Sequence, residues 1–340
     1  MPDSTPRAGA RHRPTILVTG ATGNLGRHVA DRLDARGVRA RRLVRRDAGP
    51  RPEPGAGTVV GDLTDRAAVR AALAGVDAVF LIWPLLEAAA RGLVAELAAA
   101  GPRVVYVSSS AVDDRAARQS DPIAQAHADM EALLGGAGVR PVVLRSDTLA
   151  SNARGWAPQI RAGNVVAGPD VAPTAVVDER DVADAAVAVL LADPDRSGSG
   201  RAADGPHVLT GPEVLSRADQ VDRLGAALGR PLRFRPLPAG LARSRMLADG
   251  RPAPLVEALI TAAARRPASD RTTDHVERLT GRPAGTFAQW AADHAAEFTA
   301  QDDLAQDDLA QDDLAQDDLA QGDPGQGGRG TGGRRRGGTR

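Results

Sequence analysis

The chain has 340 residues, 42% of them hydrophobic, enough to bury a large core with room for a smaller appended lobe. Its formal net charge of +0 leaves no basic field to attract nucleic acid, so small-molecule chemistry is the better expectation. With no cysteine and no lysine, it is denied disulfides, thiolate metal sites, a thiol nucleophile, Schiff-base chemistry and any catalytic lysine.

In chain order, residues 1–13 lack the apolar centre of a signal peptide and read as a disordered tail. No apolar run approaches the ~18 residues of a membrane span. The expectation is a soluble, cytoplasmic protein without a membrane partner. The six histidines are scattered without ligand spacing, and no metal is expected. Thr15 to Val18 reads as a short buried strand, while Leu25, Val29, Ala30 and Leu33 recur at helical spacing. Between them lie Gly20, Gly23 and Gly26, so a strand turns into a helix across three glycines. That combination is a dinucleotide cradle. Gly20 suits the tight turn, Gly23 lets backbone N–H groups approach a pyrophosphate, and Gly26 lets the helix pack closely on the sheet. Gly20, Thr22, Gly23, Asn24, Leu25 and Gly26 are thus candidate cofactor-binding residues, with the helix N-terminus facing the phosphates. The spacing is G-x-x-G-x-x-G rather than G-x-G-x-x-G, and a glycine-rich turn without a ligand is the alternative.

Gly37 closes the helix, and residues 38–44 alternate as a second strand followed by Arg45, Arg46 and Asp47. Arginine at this point accommodates the extra phosphate of NADP, whereas an acidic residue would hold the ribose of NAD. Arg45 comes first, so NADP(H) is favoured over NAD(H); Asp47 keeps NAD open, and solvated loop charges are the bland alternative. Residues 58–60 form a third strand, and Thr64 or Asp65 caps a helix over 66–73. Asp62 is placed to accept from an adenine amine, with Leu63 beside it. Asp62 as a turn residue bonding its own backbone fits the spacing equally well.

Residues 77–82 are a fourth, apolar strand ending in Trp83-Pro84, where an indole either flanks the nicotinamide or simply packs. A helix over 85–100 leads to a fifth strand, 103–110, running into Ser108, Ser109 and Ser110, hydroxyls that face the cofactor. Tyr106, the one tyrosine, lies inside this strand and reads as a packing residue. In the helix over 122–134, Ile123, His127, Met130 and Leu134 share about one 60° sector, so His127 faces inward. It is a core histidine, or a group beside the nicotinamide ribose or a proton donor. A sixth strand spans 138–145, and 146–152 should line the substrate side. A short helix covers 156–162, and another runs to Leu191 with Asp181 as its cap and Arg180 paired to a carboxylate. From His207 onward, short elements to Phe298 form a cap-like lobe, placed mainly at 146–175 and 207–298. Residues 301–320 are four copies of Gln-Asp-Asp-Leu-Ala, matching no helical period, and the Gly/Arg-rich end completes a disordered low-complexity tail over 299–340.

Thr19 to Gly26, Gly61-Asp62-Leu63, Trp83-Pro84, Ser108 to Ser110, His127 to Glu131, Val177 to Ala183, Leu209 to Glu213 and Leu279 to Pro283 together resemble the NmrA-like group of atypical short-chain dehydrogenases/reductases, over about residues 14–298. The resemblance implies an α/β, doubly wound Rossmann sheet with a smaller C-terminal substrate-side lobe, NAD(P) binding, and a tendency towards homodimers. It also implies either reduction of quinone-like or azo compounds or redox sensing without turnover. Related dehydrogenases relay a proton through a tyrosine and a lysine; those places fall on Ile123 and His127. Lacking that dyad, the chain is expected to be a flavin-free NADPH-dependent reductase of a small molecule, with Ser110 and His127 as donors to a developing oxyanion. The alternative is a non-catalytic NAD(P) sensor acting through a protein partner, and a nucleotide-sugar epimerase ranks last.

Overall fold

The computed structural model describes residues 13–45, 57–83, 87–192, 205–269 and 271–299. Both predicted tails, apart from Arg13 and Thr299, lie outside the described residues, as do Arg46, Asp47 and Pro84.

Strand β1 (Thr15–Val18) is buried along its whole length and leads through the glycine turn into helix α1 (Gly26–Ala35). Gly37, at φ 67°, stops that helix, its N–H donating to Asp34 O and that of Val38 to Leu33 O. β2 (Arg39–Val44) and β3 (Thr58–Val60) follow, then α2 (Arg66–Leu73), capped by the Asp65 carboxylate on the N–H groups of Ala67 and Ala68. Next come β4 (Ala78–Leu81), α3 (Glu87–Ala100), β5 (Arg103–Ser109), α4 (Pro122–Gly136) and β6 (Val142–Ser146). Asp121 caps α4 while Pro122 opens it, where a missing N–H costs nothing.

A 3₁₀ segment (Ala150–Trp156), α5 (Ala157–Ala162) and β7 (Val165–Pro169) precede α6 (Glu179–Leu191). The cap of α6 is Asp178, not Asp181. Asp178 has the extended backbone of a cap and accepts from Arg180 N, whereas Asp181 already lies inside the first turn. Its carboxylate turns to Gly285 N–H (2.7 Å) and Arg282 (2.6 Å) instead. Arg180 pairs with Asp178 and Asp293. β8 (His207–Leu209), α7 (Arg217–Ala227), β9 (Arg233–Leu237), α8 (Ala239–Ala248), α9 (Ala253–Arg265), α10 (His275–Thr280) and α11 (Phe287–Asp293) complete the chain.

Seven parallel strands form one sheet in the order β3-β2-β1-β4-β5-β6-β8. This is the α/β Rossmann architecture. His207–Leu209, read from sequence as the first piece of the lobe, pairs in parallel with β6 and closes the sheet's edge, Ser146 opposite Leu209. Alternation along the strands assigns side chains to two cores. Ile16, Val18, Phe80 and Leu144 pack with Val29 and Leu33 of α1 and Val182 and Val187 of α6. Leu17, Val79, Leu81 and Tyr106 pack with Val69, Leu93, Leu97 and Met130 of α2, α3 and α4. A third core, around Ile160, Val166, Leu224, Phe287 and Trp290, holds β7, β9 and the helices beside them. Because β1 pairs with β2 on one side and β4 on the other, the strand order reverses between β1 and β4. The crevice for a ligand therefore opens above their C-terminal ends.

Candidate functional site

A cavity of about 950 Å³ lies above those ends. Gly20 and Thr22 border it where β1 gives way to α1, and Gly20 adopts φ 58°, a backbone that L side chains avoid. A Cβ on Gly26 would stand 2.0 Å from Gly20 O, so the helix touches the turn backbone to backbone. Gly23 N–H donates to Gly20 O (3.0 Å) and keeps the turn tight. Leu25 packs into the core and gives no side-chain cap, so the first N–H groups of α1 have no side-chain acceptor. Such a terminus fits a phosphate. Gly23, Asn24, Leu25 and Gly26 shape the cradle from behind and do not line the cavity wall.

Arg45 lines the wall at the end of β2, its Nε enclosed and without a hydrogen-bond partner among the described residues. An enclosed, unpaired guanidinium N–H fits an anionic oxygen. Asp62 also lines the wall, but its Oδ1 accepts from Thr64 N and Thr64 Oγ1 at 2.6 Å each. The turn role left open by the sequence is therefore filled, with Leu63 beside it on the wall. Thr19, quoted only as part of the motif, is a tie: its Oγ1 accepts from Ile82 N (2.7 Å) and donates to Phe80 O or Ile82 O, clamping β1 to β4 under the cradle. Trp83 packs at 4% exposure with the α2/α3 core and also borders the cavity.

The serines divide. Ser108 lines the cavity but its hydroxyl donates to Glu131 Oε1 at 2.5 Å, and Ser109 Oγ accepts from Ala111 N. Ser110 presents to the cavity a hydroxyl with no side-chain partner among the described residues, its backbone fixed by a bond to Ser146 O. His127 lines the same cavity, and its Nδ1 is 2.8 Å from the hydroxyl of Tyr106. Burial pushes the imidazole down to about 4, against the opposing pull of Glu131, so the ring is neutral at physiological pH. Ile123, at the other dyad position, does not line the cavity. Asn152, exposed, lines the cavity as well.

Sequence reasoning missed a charged cluster beneath the serines. Arg145, on β6, binds Glu131 of α4 (2.7 Å) and Asp114 after β5 (2.6 Å), with a further bond to Val112 O. Its one available signal was an arginine inside an apolar strand, a placement that demands a partner. Arg115, Arg266 and Arg271 line the far wall. Arg266 is held by both oxygens of Asp121, whereas Arg115 and Arg271 have no ion pair among the described residues. Also among the described residues, no group of three or more His, Asp or Glu is placed to hold a metal, and no helix is long and apolar enough to cross a membrane.

The sheet order, the glycine cradle and the cavity above the β1/β4 crevice define a protein of the dinucleotide-binding Rossmann class. Residues 20–193 match the model of the NAD(P)H-binding family, and the chain belongs to that family, among the NmrA-like atypical short-chain dehydrogenases/reductases. It is 40% identical over 298 residues to the (4-alkanoyl-5-oxo-2,5-dihydrofuran-3-yl)methyl phosphate reductase of Streptomyces griseus, covering 84% of this chain and 100% of that protein. It is 30% identical over 294 residues to the NAD(P)H azoreductase of Xenophilus azovorans, covering 84% and 99%. An NADPH-dependent quinone oxidoreductase of Escherichia coli complexed with NADPH shares the fold, with a TM-score of 0.63 at 22% identity over 82% of this chain and 99% of that one.

Proposed function

We propose that the protein is an NADPH-dependent reductase of an electron-poor, conjugated small molecule that carries an anionic group. One observation carries the reading: a single cavity joins the glycine cradle to Ser110, His127 and the arginines Arg115 and Arg271, which have no ion pair among the described residues. The bound nicotinamide supplies a hydride. The chain's part is to place it. The N–H groups at the start of α1 would hold the pyrophosphate and Arg45 the 2′-phosphate that separates NADP from NAD, while Ile82 and Trp83 wall the crevice. Ser110 Oγ–H and the outward N–H of His127 donate to the acceptor oxygen on which negative charge grows.

With no lysine in the chain and isoleucine at position 123, the acceptor must be one whose oxyanion needs only weak donors. The substrate named for the Streptomyces relative is of this kind, a ring alkene conjugated to carbonyls and bearing a phosphate, and an anion of that sort suits Arg115 and Arg271. Quinones and azo compounds are the other acceptors in the class.

The test is NADPH and NADH oxidation followed across three sets of acceptors: conjugated five-membered lactones with and without a phosphate, quinones, and azo dyes. The expected result is turnover of the phosphorylated lactone with NADPH preferred, lost or weakened when the phosphate is removed. Rates flat over background for every acceptor, with NADPH binding intact by calorimetry, would reject the reductase and leave the sensor.

A further inference from the structure

We infer that Tyr106 is a positioning residue for His127: its hydroxyl donates to Nδ1 and so holds the ring proton on Nε2, facing the cavity. The inference deepens the reductase reading, which needs a donor at that spot, but the geometry behind it is independent of any substrate.

Tyr106 and His127 meet in a closed space, where every donor needs an acceptor. Tyr106 has no exposed surface, and its hydroxyl makes one hydrogen bond among the described residues, the 2.8 Å contact to His127 Nδ1. Suppose Nδ1 carried the proton and donated to the tyrosine oxygen. The tyrosine's own O–H would then point into a dry core with nothing to accept it. Reversing the direction satisfies both groups. The hydroxyl donates, Nδ1 accepts, and the single proton of a neutral imidazole is left on Nε2.

The surroundings enforce that neutral form. Burial holds the imidazole in the uncharged state, and the tyrosine proton is retained because burial raises that hydroxyl above its ordinary value. The charged groups facing His127 are Glu131 on its own helix, Asp121 at the helix start and Arg266 from the end of α9, with the two carboxylates opposing the arginine. Nε2 itself has no partner among the described residues and is not among the enclosed, unsatisfied atoms. A strand residue that looked like packing thus sets the chemistry of a helix residue 21 positions later. The result is a donor whose strength does not change as ordinary histidines titrate.

The experiment is ¹⁵N NMR of histidine-labelled protein from pH 6 to 8, in the wild type and in Tyr106→Phe, with acceptor kinetics alongside. The wild type should show His127 as one tautomer, protonated at Nε2, across the range. Tyr106→Phe should show mixed tautomers, and kcat should fall about tenfold while KM for NADPH changes little. A wild-type ring protonated at Nδ1, or a tautomer ratio unmoved by Tyr106→Phe, would overturn the inference. The wild-type spectrum decides even if the variant does not fold. Should no acceptor be turned over, the spectra still test the tautomer, so the two readings fail separately.

Discussion

A methyl group on Gly26 would lie 2.0 Å from Gly20 O, a separation no packed structure tolerates, so Gly26→Ala must push α1 away from the turn. Its expected effect is a lowered Tm and at least a tenfold loss of NADPH affinity by calorimetry, about 1.4 kcal/mol; an unchanged affinity would mean that the cradle is not where the pyrophosphate sits. His127 makes a different prediction, one of pH. Its folded value of about 4 lies below the ordinary 6.5, so between those values the unfolded chain binds more protons than the folded one. Stability is therefore full above about pH 6.5 and is lost as pH falls towards 4. His28 and His275 are lowered by burial too, so the test is a difference: Tm against pH should fall less steeply in His127→Gln than in the wild type. What the sequence could say of these residues follows from range. The helical period turned His127 inward, and glycine spacing announced the turn, because both are local. The partner of His127 sits on a strand, and no period within α4 points to it.

At the level of elements, Arg145 holds three of them together, binding Glu131 of α4, Asp114 after β5 and, through its own strand, β6. The Arg145 side chain is 6% exposed and that of Glu131 15%, so this pair is shielded from water, while Asp114 at 69% is not. Arg145→Met leaves Glu131 with Ser108 as its one remaining donor and should cost about 3 kcal/mol in urea unfolding. Asp114→Asn, losing a solvated partner, should cost under about 1 kcal/mol yet raise KM for the acceptor, because residues 110–115 border the cavity. Equal costs for the two variants would show that the cluster is not an anchor. The first five strands and most helix limits were legible since caps and apolar runs are short-range signals, whereas β6 starts at Val142 and not at 138, and β7 (Val165–Pro169), which pairs only with distant β9, was not read at all. The misplaced cap of α6 shows the limit: Asp178 and Asp181 are equally good capping residues by type, and only the contact with Gly285 and Arg282, a hundred residues on, assigns Asp181 elsewhere.

The whole molecule depends on how the third core is fastened to the sheet, and Glu179 is a buried fastening beside the Arg180–Asp293 pair. It opens α6, which packs against the sheet, and has no exposed surface. One Glu179 oxygen accepts from Trp290 Nε1 (3.1 Å) and Arg154 (3.0 Å), the other from Ser151 N (3.2 Å). Trp290 in turn stacks on Phe287 and His294, and Arg154 continues to Glu297. Replacing Glu179 by alanine leaves the buried Trp290 Nε1 and Ser151 N without their acceptor and takes one of two carboxylates from Arg154, which keeps Glu297, and should cost about 3 kcal/mol. Two probes separate the consequences. With Trp83 changed to Phe, fluorescence comes from Trp156 and Trp290 alone, both in the third core, while far-UV circular dichroism sums over all the helices, those around the main sheet included. If Glu179 couples the two cores, Glu179→Ala should lower both urea midpoints together. A fluorescence midpoint that drops while the dichroism splits into an early phase and a later one at the wild-type midpoint would show that the third core unfolds by itself, and the cavity would then have one wall free to open independently of the other.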